Sequence, residues 1–187
     1  LLANGRGAFF QRHEPLSSEE YLVAASLDGR DRESHIYLAA PITETELEEH
    51  YAKEIVESES VSWDKGQQAV IARKHRKLWN LVISDVPMKN PDERKVLNAL
   101  IEGIKEAGLG ALPWNRMTEN QRARINLLHR MGENLPELSD DRFLANLKDC
   151  LAPCLKGMAR LEHLKRLDLK DILLSMLTWE QRQALER

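Results

Sequence analysis

Residues 92–108, DERKVLNALIEGIKEAG, decide the fold class of the chain. Apolar residues return every three or four positions in this segment, which is the spacing of one face of an α-helix. The stripe comprises Val96, Leu97, Leu100, Ile101 and Ile104. Gly108 ends the segment, and glycine is a common terminator of helices. The segment therefore predicts an amphipathic helix with one buried face.

The residues that follow keep the helical spacing in several shorter segments. Thr118, Ser139 and Asp168 each precede apolar residues at that spacing, and each can cap a helix. A capping box that begins at Thr178 opens the last segment. Short helices joined by brief loops are typical of small bundles, so we predict a helical domain over residues 89–187.

The residues before Pro87 follow a different pattern. Short runs of β-prone residues alternate with turn residues, as expected of strands joined by hairpins. Such runs occupy residues 7–10, 21–27, 34–39, 57–63, 67–77 and 79–84. Residues 43–56 lie between two of these predicted strands. A capping box at Thr43 and apolar residues four positions apart predict a helix over this stretch.

Several short strands interrupted by one helix suit a small closed β-barrel. The five-stranded oligonucleotide/oligosaccharide-binding (OB) barrel is the obvious candidate, although a fold alone does not establish a function. We therefore expect an α+β chain with two domains. Residues 1–88 would form an OB-like barrel with one inserted helix, and residues 89–187 would form a small helical bundle.

Composition limits the classes of protein that fit this chain. Its 187 residues carry 27 Lys and Arg against 30 Asp and Glu, a net charge of −3, so it lacks the strong positive charge of a duplex-binding domain.

No apolar run approaches the ~20 residues that cross a bilayer. Two cysteines make no disulfide framework, and no secretory signal opens the chain. We expect a cytoplasmic protein with no membrane partner. Because Leu1 stands where Met would begin a protein, we expect a piece of a longer polypeptide.

The motifs of catalysis are missing from the sequence. It contains no phosphate-binding loop, dinucleotide fingerprint, zinc-protease motif or nucleophile elbow. Cys150 and Cys154 lack the second pair that a zinc ribbon needs, and their leucine-rich surroundings favour buried thiols. We therefore predict no catalytic residue, no metal site and no cofactor within this chain.

A basic run, RKHRK at residues 73–77, is the main local cluster of positive charge. On a strand, Arg73, His75 and Lys77 would point to one side, while Lys74 and Arg76 would point to the other. These cations could contact phosphates, and the nearby Trp79 could stack on a base. In the alternative interpretation, the run pairs with acidic residues 54–59 of the same domain. The sequence leaves both interpretations open.

Short motifs along nearly the whole chain appear in an order that resembles the C-terminal region of HrpB-type ATP-dependent helicases, a DEAH/RNA-helicase-like family. They include Gly5-Arg6-Gly7-Ala8, Ile36-Tyr37-Leu38-Ala39-Ala40-Pro41, Leu112-Pro113-Trp114, Leu151-Ala152-Pro153 and Trp179-Glu180-Gln181. Cys154 departs from the family pattern, in which an aromatic residue is expected.

The resemblance implies an accessory role for this chain. The ATPase, with its ATP and Mg²⁺, would lie in the upstream motor domains of the parent protein. This region would hold single-stranded RNA or DNA weakly and pack on those motor domains. The candidate nucleic-acid-binding residues are Arg6, Arg73, Lys74, Arg76, Lys77 and Trp79. The alternative is a structural module that docks on the motor or on a protein partner and binds no nucleic acid.

Overall fold

The structure is a computed structural model that describes residues 1–28 and 33–186. The chain is α+β, with two three-stranded sheets followed by several helices. The described residues divide into two compact units. One comprises residues 1–60 and 73–88, and the other comprises residues 61–72 and 89–187. We call them the sheet unit and the helical unit.

The first sheet has β3 (Glu33–Pro41) at its centre. Strand β1 (Gly7–Phe9) pairs with it in parallel, and β2 (Leu22–Leu27) pairs with it antiparallel. Phe9 lies opposite His35 in the parallel ladder. A short 3₁₀ turn, Pro15–Ser18, lies between β1 and β2 along the chain.

Helix α1 (Glu44–Tyr51) follows the first sheet, and its start matches the sequence prediction. The Thr43 hydroxyl accepts a hydrogen bond from the Glu46 backbone N–H, and the Glu46 carboxylate accepts one from the Thr43 N–H. The predicted extension of this helix to residue 56 is wrong. The helix ends at Tyr51, and Ile55 already belongs to the next strand, where it packs against the small core of the sheet unit.

The second sheet is formed by three strands that follow one another in the chain. Strands β4 (Ile55–Asp64), β5 (Ala69–Leu78) and β6 (Leu81–Pro87) lie in that order. Pairing of β5 with β6 is antiparallel, and a register shift lies between Arg76 and Lys77. The two residues Trp79 and Asn80 connect β5 to β6.

The expected closed five-stranded barrel does not form. Six strands divide evenly between the two sheets, and no ladder joins one sheet to the other among the described residues. Strand β1 is only three residues long and pairs with β3. Bulges interrupt the ladder between β2 and β3. The alternation of apolar residues predicts strands but does not specify which edges pair, and closure depends on those edges.

The helical unit contains six α-helices among the described residues. They are α2 (Glu93–Ala107), α3 (Arg116–Arg130), α4 (Asp140–Ala145), α5 (Leu147–Leu151), α6 (Leu169–Ser175) and α7 (Trp179–Glu186). Turns of 3₁₀ type occupy Leu109–Ala111, Ala152–Cys154 and Leu161–Arg166. None of the helices described here has both the length and the apolar character needed to cross a membrane.

Two of the predicted helix starts are corrected by the structure. The side chain of Asn115, rather than that of Thr118, caps α3 by accepting a hydrogen bond from the Thr118 backbone N–H. The Thr118 hydroxyl accepts one in return from the Asn115 backbone N–H, which completes a capping box. Ser139 precedes α4 but its hydroxyl donates to Glu137, and the single helix expected after it is broken at Asn146 into α4 and α5. The predicted Asp168 cap of α6 is confirmed.

The two units differ sharply in the size of their buried cores. Seventeen buried apolar residues form one cluster in the helical unit. Among the described residues, the cluster of the sheet unit has only three buried members, Leu47, Leu78 and Ile83. Judged by the number of buried apolar residues, the helical unit has a much larger hydrophobic core than the sheet unit.

The tip of the β4–β5 hairpin, residues 61–72, belongs to the helical unit. The backbone N–H of Val70 donates to the Ala159 carbonyl at 2.7 Å, and Ala69 forms an isolated β-bridge with Arg160. The helical unit is therefore assembled from two separate stretches of sequence. A division into independent domains at residues 88 and 89 stays a prediction.

Candidate nucleic-acid interface

The basic run lies on β5, where its side chains alternate between the two faces of the sheet. On one face, Arg73 Nε donates to Asp85 Oδ1 at 2.5 Å, and His75 Nδ1 lies 3.2 Å from the same oxygen. On the other face, Lys74 Nζ lies 2.6 Å from Glu57 Oε2. Each face of the strand thus meets its own carboxylate, in agreement with the predicted alternation.

Arg76 is the most heavily paired cation of the run. Its Nη1 donates to Glu44 Oε1 at 3.1 Å, its Nη2 donates to Glu48, and its Nε lies 3.6 Å from Glu57. The hydrogen bond to Glu48 raises the pKa of the Arg76 guanidinium. Since α1 supplies Glu44 and Glu48, Arg76 ties that helix to β5. The guanidinium would have to leave these carboxylates in order to bind a phosphate.

The carboxylates opposite the run are held in their ionised form. The hydrogen bond from Lys74, followed by the charges of Lys74 and Arg76, lowers the pKa of Glu57. The hydrogen bond from Arg73, aided by neighbouring positive charges, lowers the pKa of Asp85. Much of the positive charge of the run is therefore neutralised inside the sheet unit.

Lys77 differs from the other cations of the run. It is exposed near the end of β5, opposite Val82 of β6, and the described part of the chain shows no ion pair at its ammonium. Its charge acts on Asp85 at longer range. Among the four predicted cations of the run, Lys77 is the one best placed to meet a phosphate.

Trp79 occupies the first position of the two-residue β5–β6 turn. Its side chain is 55% exposed, and its ring meets Tyr51 edge-on at a centroid distance of 5.7 Å. Its backbone φ of +51° lies in the left-handed region. The predicted aromatic candidate is thus presented at the tip of a hairpin.

The turn that contains Arg6 lies beside this hairpin tip. The Leu2 N–H donates to the Arg6 carbonyl at 2.7 Å, and Gly5 supports the turn with a φ of +88°, which glycine adopts readily. The Asn80 backbone N–H donates to the Ala3 carbonyl at 3.1 Å, and the Asn80 side-chain amide donates to the same oxygen at 3.3 Å. The structure thereby brings the Arg6 turn next to Trp79, although the two are far apart in sequence.

An open depression lies between the N-terminal turn and the hairpin tip. Its volume is about 640 Å³, and its lining residues are Leu2, Ala3, Asn4, Leu27, Trp79 and Asn80. Sequence reasoning identified Trp79 but missed the other five, because they come from three separate segments. No local motif marks such a combination.

The cysteines of the helical unit do not form a site. Cys150 is half-buried, and burial raises the pKa of its thiol. Cys154 is exposed, which corrects the expectation that both thiols are buried, because the Ala152–Cys154 turn carries it to the surface. Within residues 1–28 and 33–186, no group of three His, Cys, Asp or Glu side chains is placed to hold a metal ion.

Comparisons with known proteins identify similar chains, although no family model matches. The chain is 29% identical to the ATP-dependent RNA helicase HrpB of Escherichia coli (strain K12) over 99% of its own length and 23% of the helicase. The crystal structure of the E. coli DExH-box NTPase HrpB matches with 30% identity and a TM-score of 0.52, again over 99% and 23% of the two chains. The E. coli DEAH/RHA helicase HrpB structure matches with 27% identity and the same TM-score, over 98% of this chain and 23% of that one.

This chain spans less than a quarter of the length of these relatives. The matched part is a C-terminal region of HrpB. The resemblance to the C-terminal region of HrpB-type helicases, indicated by the order of the motifs, is confirmed by these comparisons.

Proposed function

We propose that this accessory region of a helicase acts mainly by packing on the motor domains of the same polypeptide. One observation carries this preference: Arg73, Lys74 and Arg76 are already paired with carboxylates of their own unit. A phosphate would have to displace those carboxylates, whereas a protein surface can dock without breaking the pairs.

Exposed apolar side chains of the first sheet support a docking role. Tyr37 and Leu38 are neighbours on β3 and point to opposite faces of the sheet, yet each is 61% exposed. Val23 on β2 and Phe9 on β1 are also exposed. A stable sheet normally covers its apolar side chains with another layer, so these residues are suited to a partner surface.

A direct association assay tests this packing. The 187-residue chain is mixed with separately expressed motor domains of its parent protein, and the dissociation constant is measured by calorimetry. We expect binding that Tyr37→Asp weakens, because a carboxylate would be desolvated at the interface. Met131→Asp is the matched control, because Met131 is an exposed apolar residue of the helical unit, at 71%. Absence of association, or equal loss in both variants, contradicts the proposal.

Weak binding of single-stranded nucleic acid is the second candidate function. It is favoured by Lys77 and Trp79, which are exposed together at the end of the second sheet. Because Lys77 is the cation of the run for which the described residues show no ion pair, the salt dependence of binding to a single strand should have a slope of about −0.7, the contribution of one neutralised phosphate. Four independent cations would give a slope near −3.

Fluorescence anisotropy with a labelled oligonucleotide measures this slope. Lys77→Ala should weaken binding and flatten the slope by one phosphate contact, about 0.7. Lys74→Ala is the matched control, because its ammonium is bound to Glu57. If both substitutions reduce the slope equally, the internal ion pairs do not restrict the run. The use of ATP and Mg²⁺ through the motor domains and a cytoplasmic location stay predictions.

A further inference from the structure

We infer that the depression beside Trp79 is a nucleobase site, in which one unpaired base of a single strand stacks on the Trp79 ring. This inference rests on the nucleic-acid-binding part of the proposed function and deepens it. Phosphate contacts alone hold a strand without engaging its bases, whereas this site would add an aromatic surface and a recess for one base.

The backbone of Trp79 is the first observation that carries the inference. Tight two-residue hairpin turns require a positive φ at their first position, which Gly, Asn or Asp normally fills. Trp79 adopts a φ of +51° there, a conformation that bulky residues rarely take. Glycine would serve the turn better, and the edge-on contact with Tyr51 still leaves Trp79 55% exposed. Strain of this kind clusters at functional sites.

The shape of the site is the second observation. Leu2, Ala3 and Leu27 give the depression apolar walls beside the exposed Trp79 ring. Its volume of about 640 Å³ lies within the range of pockets that hold small organic groups. Because Asn80 holds the Ala3 carbonyl with two hydrogen bonds, the wall opposite the hairpin is fixed before any ligand binds.

Charge beside the depression favours an anionic strand as its occupant. Lys77 is exposed two residues before Trp79, and Arg6 belongs to the turn that forms one wall. The acidic residue Asp28 follows the wall residue Leu27 in the chain, but its carboxylate is turned to His35. It accepts a hydrogen bond from the His35 backbone N–H at 2.6 Å and lies 3.6 Å from Nδ1 of the His35 ring. An exposed aromatic ring with a basic residue close by in the chain is typical of single-strand binding sites.

Oligonucleotides with and without bases test the inference directly. Binding of the 187-residue chain is measured by anisotropy at low salt, with a labelled single strand and with an abasic strand of the same length and charge. Base stacking predicts that the normal strand binds on the order of tenfold more tightly. Trp79→Gly should remove this preference and leave weak binding to both strands. Trp179→Ala, which removes another exposed tryptophan, should change neither.

Stability measurements keep the test independent of folding defects. Trp79→Gly and Trp79→Ala both lose the ring, but only glycine relieves the positive φ, so the glycine variant should melt at the higher temperature. Equal binding of both strands by the wild type and Trp79→Gly would overturn the base site and leave phosphate binding intact. Absence of binding to either strand would overturn both. A lower melting temperature for the glycine variant would overturn the strain argument.

Discussion

Replacing Gly103 with Ala provides a sharp test of packing in the helical unit. Gly103 is a buried residue of α2, and the ring of Trp63 covers it. A Cβ atom at this position would lie 2.3 Å from Trp63 Cδ2, 2.5 Å from Cε2 and 2.6 Å from Cε3. Ordinary contacts between carbon atoms are about 3.5–4.0 Å, so the indole must move by more than an ångström.

The cost of this movement outweighs the benefit of alanine in a helix. Overpacking a core costs about 1–3 kcal/mol, and overlap with three atoms of a rigid ring places Gly103→Ala near the upper end. Alanine recovers about 1 kcal/mol through its higher helix propensity. The net loss is about 2 kcal/mol, which corresponds to a melting temperature lower by about 4–8 °C in a chain of this size.

Thermal unfolding followed by helix ellipticity measures the effect. Gly110→Ala is the matched control, because its Cβ would meet no atom within 4 Å and its stability should change by less than about 0.5 kcal/mol. Trp63→Leu should cost less in the Gly103→Ala background than in the wild type, because the overlap is then absent. Equal melting temperatures for the two glycine variants would refute the packing of Trp63 on Gly103.

Two further predictions concern acid and ATP. Because the folded-state pKa values of Glu57 and Asp85 are lowered, their contribution to stability is complete above the ordinary values of 4.5 and 3.8 and is lost as the pH falls through the lowered ones. Urea unfolding as a function of pH should show this acid loss, and Glu57→Gln should reduce it; an unchanged pH profile would contradict the assignment. The chain should neither bind nor hydrolyse ATP, because its sequence has no phosphate-binding loop, and stoichiometric binding in calorimetry would contradict this.

Sequence periodicity predicted the elements whose causes are local. The stripe of α2 and the caps at Thr43 and Asp168 involve residues within one or two helical turns of each other, so their spacing is visible in the sequence. The cap of α3 was misplaced because Asn115 and Thr118 bond to each other, and either residue type can fill the capping position.

The candidate site was less predictable because its partners are remote in sequence. Pairing of the basic run with residues 54–59 was one interpretation, and Glu57 fulfils it. Glu44, Glu48 and Asp85 come from α1 and β6, and their approach depends on how the sheet unit packs. The parallel pairing of β1 with β3 likewise has no signature in local alternation.

The discontinuous helical unit has a consequence for the order of events during synthesis. The hairpin tip, which carries Trp63 and Val70, is made before α2 and before Ala159. Until those later residues leave the ribosome, the indole of Trp63 and the N–H of Val70 have neither the packing nor the hydrogen-bond partner that they find in the finished chain. A nascent chain paused near residue 88 therefore exposes this hairpin tip without the packing and the hydrogen bond that complete it in the finished chain.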